Sequence, residues 1–208
     1  RWRIDLGIAM VGNLVLCALR HVAELLNREG IEWAIAGGVA LSFWDHTRNT
    51  KDADFLIAVD NRSVDDILAA FQAAGLRPKR TPPVVTVGEQ RFVQFWYEPP
   101  EIDFEIQVDF LFAERAFQQR AIERRLPTSM PDWDLKLYVL ACEDLIVFKL
   151  AAGRIIDFAD AAALLRANRS LIDFTLLRSE CQQLLLATEL DQVWHEAFPD
   201  AAMPGVDA

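Results

Sequence analysis

Cysteine is scarce in this chain. Its three copies, Cys17, Cys142 and Cys181, lie far apart in apolar, helix-like surroundings. An odd count with no metal-type spacing excludes a disulfide framework and a thiolate metal centre, and it points to buried thiols in a reducing cytoplasm. Positive charge is also short: 21 Lys and Arg against 31 Asp and Glu leave a formal net charge of −10. That excludes a binder that blankets a duplex with positive charge, though it leaves room for a local basic patch. No apolar run is long enough to span a bilayer, so no membrane partner is expected. The run 6–19 comes nearest to a secretory segment, but Asn13 interrupts it and it continues into an amphipathic helix, so the secretory reading is rejected. Internal repeats and low-complexity tracts are missing, and so is an initiator Met. Met10 is a candidate natural start, which would make residues 1–9 an upstream extension.

What is present is core. Just over half of the 208 residues, 52%, are hydrophobic, enough for one generous domain or two small lobes. The chain is organised around residues 36–54, A-G-G-V-A-L-S-F-W-D-H-T-R-N-T-K-D-A-D. The apolar run 33–36 predicts a short buried strand. Gly37 and Gly38 then let the backbone turn sharply and approach a ligand closely. A short helix over 39–44 would begin beside them, with its first N–H groups placed for a phosphate. After a polar loop, a second strand over 52–59 opens with Asp52 and Asp54. Residues i and i+2 share a strand face, so the two carboxylates converge while Phe55, Ile57 and Val59 turn to a core. Adjacent carboxylates repel, and a divalent cation between them removes the difficulty. Mg²⁺ takes one or two carboxylates and leaves the rest of its shell to substrate phosphates. Taken singly, a Gly-Gly pair is most often a turn and Asp-x-Asp a solvated strand end; their order and spacing give them weight together.

Gly37-Gly38 followed by Arg48-x-Thr50-x-Asp52-x-Asp54 resembles the DNA polymerase β-like nucleotidyltransferase superfamily, and within it the AbiEii-type and related small bacterial enzymes. The resemblance covers roughly residues 31–165. It implies an α/β (α+β) fold: a mixed nucleotidyltransferase-type sheet with flanking helices and a helical C-terminal lobe. It also implies an NTP substrate, Mg²⁺ or Mn²⁺ on Asp52, Asp54 and a third carboxylate from a neighbouring strand, and an antitoxin-like partner or a homodimer. Many members carry Ser where this chain has Gly38. Either Ser42 supplies that hydroxyl, or backbone N–H groups serve instead.

Further along, residues 13–29 show helical spacing and end at Gly30. Asn61 or Ser63 caps a helix over 64–74 that Gly75 ends. Strands are expected over 84–87 and 91–97 around a Gly88-Glu89 turn. Residues 102–112 alternate most clearly, with Phe104, Ile106, Val108, Phe110 and Phe112 on one face and Asp103, Glu105, Gln107 and Asp109 on the other. If this strand neighbours the Asp52 strand, Asp109 is the natural third carboxylate, and the resemblance implies the same; Glu105 and Asp103 are its rivals. A polar strand face that meets only solvent is the plainer account. Residues 114–125 read as a charged, exposed helix. Its arginines (115, 120, 124, 125), or the set Arg77, Lys79, Arg80 and Arg91, could hold an anionic acceptor.

Residues 127–131 read as a boundary, dividing an α/β core over 1–126 from a helical lobe over 127–208. A strand over 135–140 precedes a helix pair in which Lys149 sits among apolar residues. Lysine there either snorkels or is aimed at an anion. The resemblance matches Lys149 to a triphosphate-facing lysine, and Arg154, Asp157 and Asp160 to the run that follows it. Asp157 and Asp160 share a helix face, where pairing with Lys149 or Arg154 is at least as good an account as catalysis. Helices over 174–186 and 189–198 and a frayed tail over 199–208 complete the chain.

The expected activity is metal-dependent transfer of a nucleoside monophosphate from an NTP to an acceptor: RNA, a protein or a small molecule. Asp52, Asp54 and Asp109 are the candidate catalytic and metal-binding residues, with Asp109 as the candidate base. Gly37, Gly38, Lys149, Arg48 and Ser42 are the candidate nucleotide-binding residues, Arg48 and Thr50 serving better as braces for the loop. A non-catalytic nucleotide-binding or interaction module of the same fold is the alternative.

Overall fold

The computed structural model describes residues 2–59, 62–100, 102–130 and 133–204, with side chains in the first helix from Leu14 onward. Asn61, Pro131 and the last four residues of the tail lie outside the described residues. Residues 1–39 and 49–139 form one compact unit, and residues 40–48 and 140–208 form a second.

The first unit is built on one eight-stranded sheet. In chain order its strands are β1 (Trp33–Ile35), β2 (Asp52–Ile57), β3 (Arg77–Pro78), β4 (Val84–Val87), β5 (Gln90–Tyr97), β6 (Ile106–Phe112), β7 (Leu126–Thr128) and β8 (Leu137–Val139). They lie in the order β3-β5-β6-β2-β1-β8-β7, with β4 also on β5. β2 runs parallel to β6 and β1 parallel to β8, while the remaining pairs are antiparallel. The sheet is therefore mixed, as expected.

The division of the chain differs from the expected 1–126 and 127–208. β7 and β8 close the edge of the sheet through β1, so residues 126–139 go with the strands. Pro127 is tolerated because β7 is an edge strand.

One sheet face is apolar for the reason the alternation suggested. Phe55, Phe95 and Phe110 are fully buried, and Phe71 from α3 (Val64–Ala73) joins them, its ring 4.4 Å from that of Phe110 and 5.8 Å from that of Phe95. α3 starts where Ser63 accepts the Asp66 N–H at 3.1 Å, with Asp65 and Asp66 favouring the positive helix end. α1 (Trp2–Glu29) buries Leu14, Ala18, Leu19, Val22, Leu25 and Leu26 and packs on β2 and β6. Gly30, at φ +62°, takes the left-handed stop that ends it.

β6 begins at Ile106 rather than Ile102. Phe104 is 51% exposed and bonds through its N–H to the Ile102 carbonyl, so there is neither an apolar face nor a ladder to extend. The helix expected over 114–125 is α4 (Ala116–Glu123). It is not an exposed charged rod, since Phe117, Gln118, Ala121 and Ile122 are buried.

The second unit contains the 3-10 turn Ser42–Trp44, α5 (Cys142–Ala152), α6 (Ile155–Asn168), α7 (Phe174–Gln183) and α8 (Ala187–Ala197). Gly153, at φ +69°, separates α5 from α6. Asn168 ties α6 to the turn by donating to the Trp44 carbonyl at 2.8 Å. Among the described residues no helix is long and apolar enough to cross a membrane.

Candidate active site

The site is decided by strand register. β2 and β6 run parallel with Asp54 opposite Asp109 and Asp52 opposite Gln107. Directly opposed residues share a face, and Asp52 and Asp54 are two apart, so all three carboxylates stand on the polar face of the sheet. Glu105 and Asp103, the rivals for the third position, precede the strand. Glu105 is spent on an ion pair with Arg77.

Each carboxylate has its own donor. Asp52 accepts the Thr50 hydroxyl at 2.5 Å, so Thr50 does brace the loop before the strand. Asp54 Oδ2 accepts the Gly38 N–H at 3.4 Å. Asp109 accepts from the Gln94 and Gln107 side-chain amides at 2.9–3.0 Å. Burial pushes the Asp109 carboxyl above its ordinary range, and the charge of Asp52 adds to that; the two amides and the Lys79 charge pull the other way.

Gly37 and Gly38 do not precede a helix but form its first residues, in α2 (Gly37–Leu41). Gly37 is at φ +55°, which L side chains rarely adopt. A Cβ there would lie 2.7 Å from Asp54 Cβ and overlap its carboxylate outright. Two independent constraints thus demand glycine beside Asp54. Gly37→Ala combines left-handed strain of roughly 1–2 kcal/mol with a steric conflict that Asp54, a short side chain, cannot escape by rotating. A lowered melting temperature is expected, together with a carboxylate shifted off the face; an alanine variant that melts like the parent would show that the turn has another conformation to use.

In the second unit Lys149 is buried, 5% exposed, and its ammonium lies 3.0 Å from Asp157 Oδ1 and 2.8 Å from Asp160 Oδ2. Arg154 grips Asp157 with two N–H groups, at 2.5 and 3.1 Å. Arg48 Nε and His46 Nε2 reach Asp160 at 3.1 and 3.2 Å. Burial acts to raise the Asp157 carboxyl, but the hydrogen bonds from Arg154 and Lys149 outweigh it and hold the group below its ordinary range. Lys149, Arg48 and both aspartates are therefore engaged with one another, which is the structural pairing weighed from the sequence. Ser42 is exposed.

The basic residues considered for an acceptor are also partnered. Arg91 pairs with Glu114, Arg115 with Glu89 and Arg125 with Glu32. Cys17, Cys142 and Cys181 are free thiols, the last two buried and pushed up to about 12, hence unreactive.

Three carboxylates on one face make an all-oxygen donor set that suits a hard divalent cation. They are not drawn into one cluster: among the described residues no group of three or more His, Cys, Asp or Glu is gathered as a metal centre. Two residues of this site escaped sequence reasoning as site residues. Gln107 lies in the alternating polar face of β6 and was visible there, whereas Gln94 meets Asp109 only through the β5·β6 register.

The mixed sheet carries paired carboxylates beside a glycine turn, the arrangement that the resemblance to nucleotidyltransferases implied. Residues 23–202 match the family described as nucleotidyl transferase AbiEii toxin, type IV TA system, and the chain belongs to that family. None of the curated proteins matches it in sequence. Among solved structures it is similar to the antibiotic-resistance factor ANT(2'')-Ia, with 15% identity, a TM-score of 0.51, and 87% of this chain and 97% of that one covered. Similarity also extends to an antigenic nucleotidyltransferase-like protein from Paracoccidioides brasiliensis (17% identity, TM-score 0.48, 89% and 97% covered). A lincosamide antibiotic adenylyltransferase, LnuA, follows at 10% identity and TM-score 0.44, with 70% and 93% covered.

Proposed function

We propose that this nucleotidyltransferase moves a nucleoside monophosphate from an NTP to an acceptor hydroxyl or phosphate in a reaction that needs Mg²⁺, with release of pyrophosphate. The observation that carries the reading is the parallel register setting Asp54 opposite Asp109, with Asp52 two residues away and the Gly37-Gly38 turn against Asp54. Asp52, Asp54 and Asp109 would hold divalent metal. When bound, it would neutralise phosphate charge and orient the transferred group.

Within this chain, Asp109 is the residue suited to take the acceptor proton. Its raised carboxyl lies nearer the neutral range than an ordinary aspartate, which improves a general base. The glycine turn presents backbone to the phosphates, Thr50 steadies Asp52, and the Lys149 network holds the helix pair. The family description, a toxin of a type IV system, supports a cognate antitoxin as partner. Free thiols support a reducing cytoplasm as the place of action.

The test uses NTP labelled at either the α or the γ phosphate, with Mg²⁺ and candidate acceptors of the three classes, RNA, protein and small molecule. Transfer of the α label, loss of the γ label as pyrophosphate and silence in Asp109→Asn are expected. Transfer of the γ label would make the protein a kinase and overturn the reading.

A further inference from the structure

We propose that Gln94 and Gln107 are positioning residues for Asp109, fixed in orientation by Arg80 and Lys79; this rests on the nucleotidyl-transfer reading above. Each glutamine lies between a cation and the carboxylate. Lys79 Nζ donates to Gln107 Oε1 at 2.5 Å, and Gln107 Nε2 donates to both Asp109 oxygens at 2.9 and 3.0 Å. Arg80 donates to Gln94 Oε1, and Gln94 Nε2 donates to Asp109 Oδ2 at 2.9 Å.

A side-chain amide has an acceptor end and a donor end. A cation can bind only the acceptor end, so Lys79 and Arg80 oblige both amides to present N–H to Asp109. The backbone supports this arrangement: Gln94 is the register partner of Asp109 across β5·β6, Gln107 is two residues earlier on the same face, and the Lys79 N–H bonds to the Gln94 carbonyl at 2.8 Å. Lys79 also lies over the Trp96 ring, 4.6 Å from its centroid, which keeps the ammonium above the sheet.

The consequence is an asymmetric carboxylate. Oδ2 takes two amide donors, while Oδ1 takes one that it shares. A carboxylate accepts about four hydrogen bonds in all. The amides therefore hold Oδ2 and leave Oδ1 as the oxygen with most capacity for a cation or an acceptor proton. Sequence spacing alone would treat Gln94 and Gln107 as surface polar residues.

The experiment measures Mn²⁺ binding to the free protein by calorimetry, with no NTP present. It compares the parent, Gln94→Met, Gln107→Met, Asp109→Asn and the doubles carrying Asp109→Asn. Second-layer partners of metal ligands typically change affinity about 10–100-fold, and that weakening is expected in each methionine variant. In the Asp109→Asn background the same substitutions should change nothing further. Lys79→Met and Arg80→Met, both at exposed positions, break the relay from outside the sheet and should weaken binding in the same direction, which covers any glutamine variant that fails to fold. If Asp109→Asn weakens Mn²⁺ binding while the glutamine and cation variants bind like the parent, the positioning role is overturned and the transfer reading stands. If Asp109→Asn itself binds like the parent, both fall.

Discussion

Lys149→Met lowers folding stability by about 3–5 kcal/mol at neutral pH, the usual cost of breaking a buried ion pair by removing one partner. For a chain of this size that corresponds to a melting temperature lower by roughly 6–20 °C. The reason is not the lysine stem, which methionine replaces well. It is the pair of carboxylates left behind: Asp157 is fully buried, Asp160 nearly so, and both give a close contact to the ammonium. Arg154 and Arg48 would remain on one carboxylate each, so the network is weakened rather than emptied. The pH dependence has a definite sign. Asp157 is held below its ordinary value of 3.8, so its contribution is present above that value and disappears as pH falls through the lower folded value. The gap between parent and variant should be widest near neutrality and close in the acid range. Thermal melts over pH 2–7 read this directly. The alternative forecast is a variant that melts like the parent but loses about 1.5–3 kcal/mol of NTP affinity, the worth of a charge-assisted hydrogen bond to phosphate. That result would place Lys149 on the nucleotide.

Asp54→Asn abolishes Mg²⁺-dependent NTP binding and leaves the melting temperature unchanged or slightly raised. Asparagine keeps the shape that the glycine turn packs against and can still accept the Gly38 N–H. It deletes one of three negative charges on one sheet face, relieving repulsion that bound metal would otherwise help to offset. Calorimetric titration with a non-hydrolysable NTP and Mg²⁺ checks the first half, and a melt checks the second. Normal NTP binding would remove Asp54 from the metal, and an unfolded variant would make it a structural residue.

Patterns with short range were legible without coordinates. The alternation from Ile106 to Phe112, the Asp52-x-Asp54 spacing, the glycine pair and the cap at Ser63 each depend on neighbours within a few residues, where backbone geometry leaves little choice. Membership of the nucleotidyltransferases followed from that same order of motifs. Register did not, because it is set between strands that are not neighbours in a local pattern: only the β2·β6 pairing, across more than fifty positions, puts Asp109 opposite Asp54, and only β5·β6 brings Gln94 to it. The start of β6 is not legible in the sequence because Ile102 and Phe104 continue the alternation, yet have no neighbouring layer to bury them. Lys149 is the clearest case. Its sequence allowed an anion or a surface, and only the tertiary structure sets it against two aspartates one helix away, where a buried ammonium has charged partners.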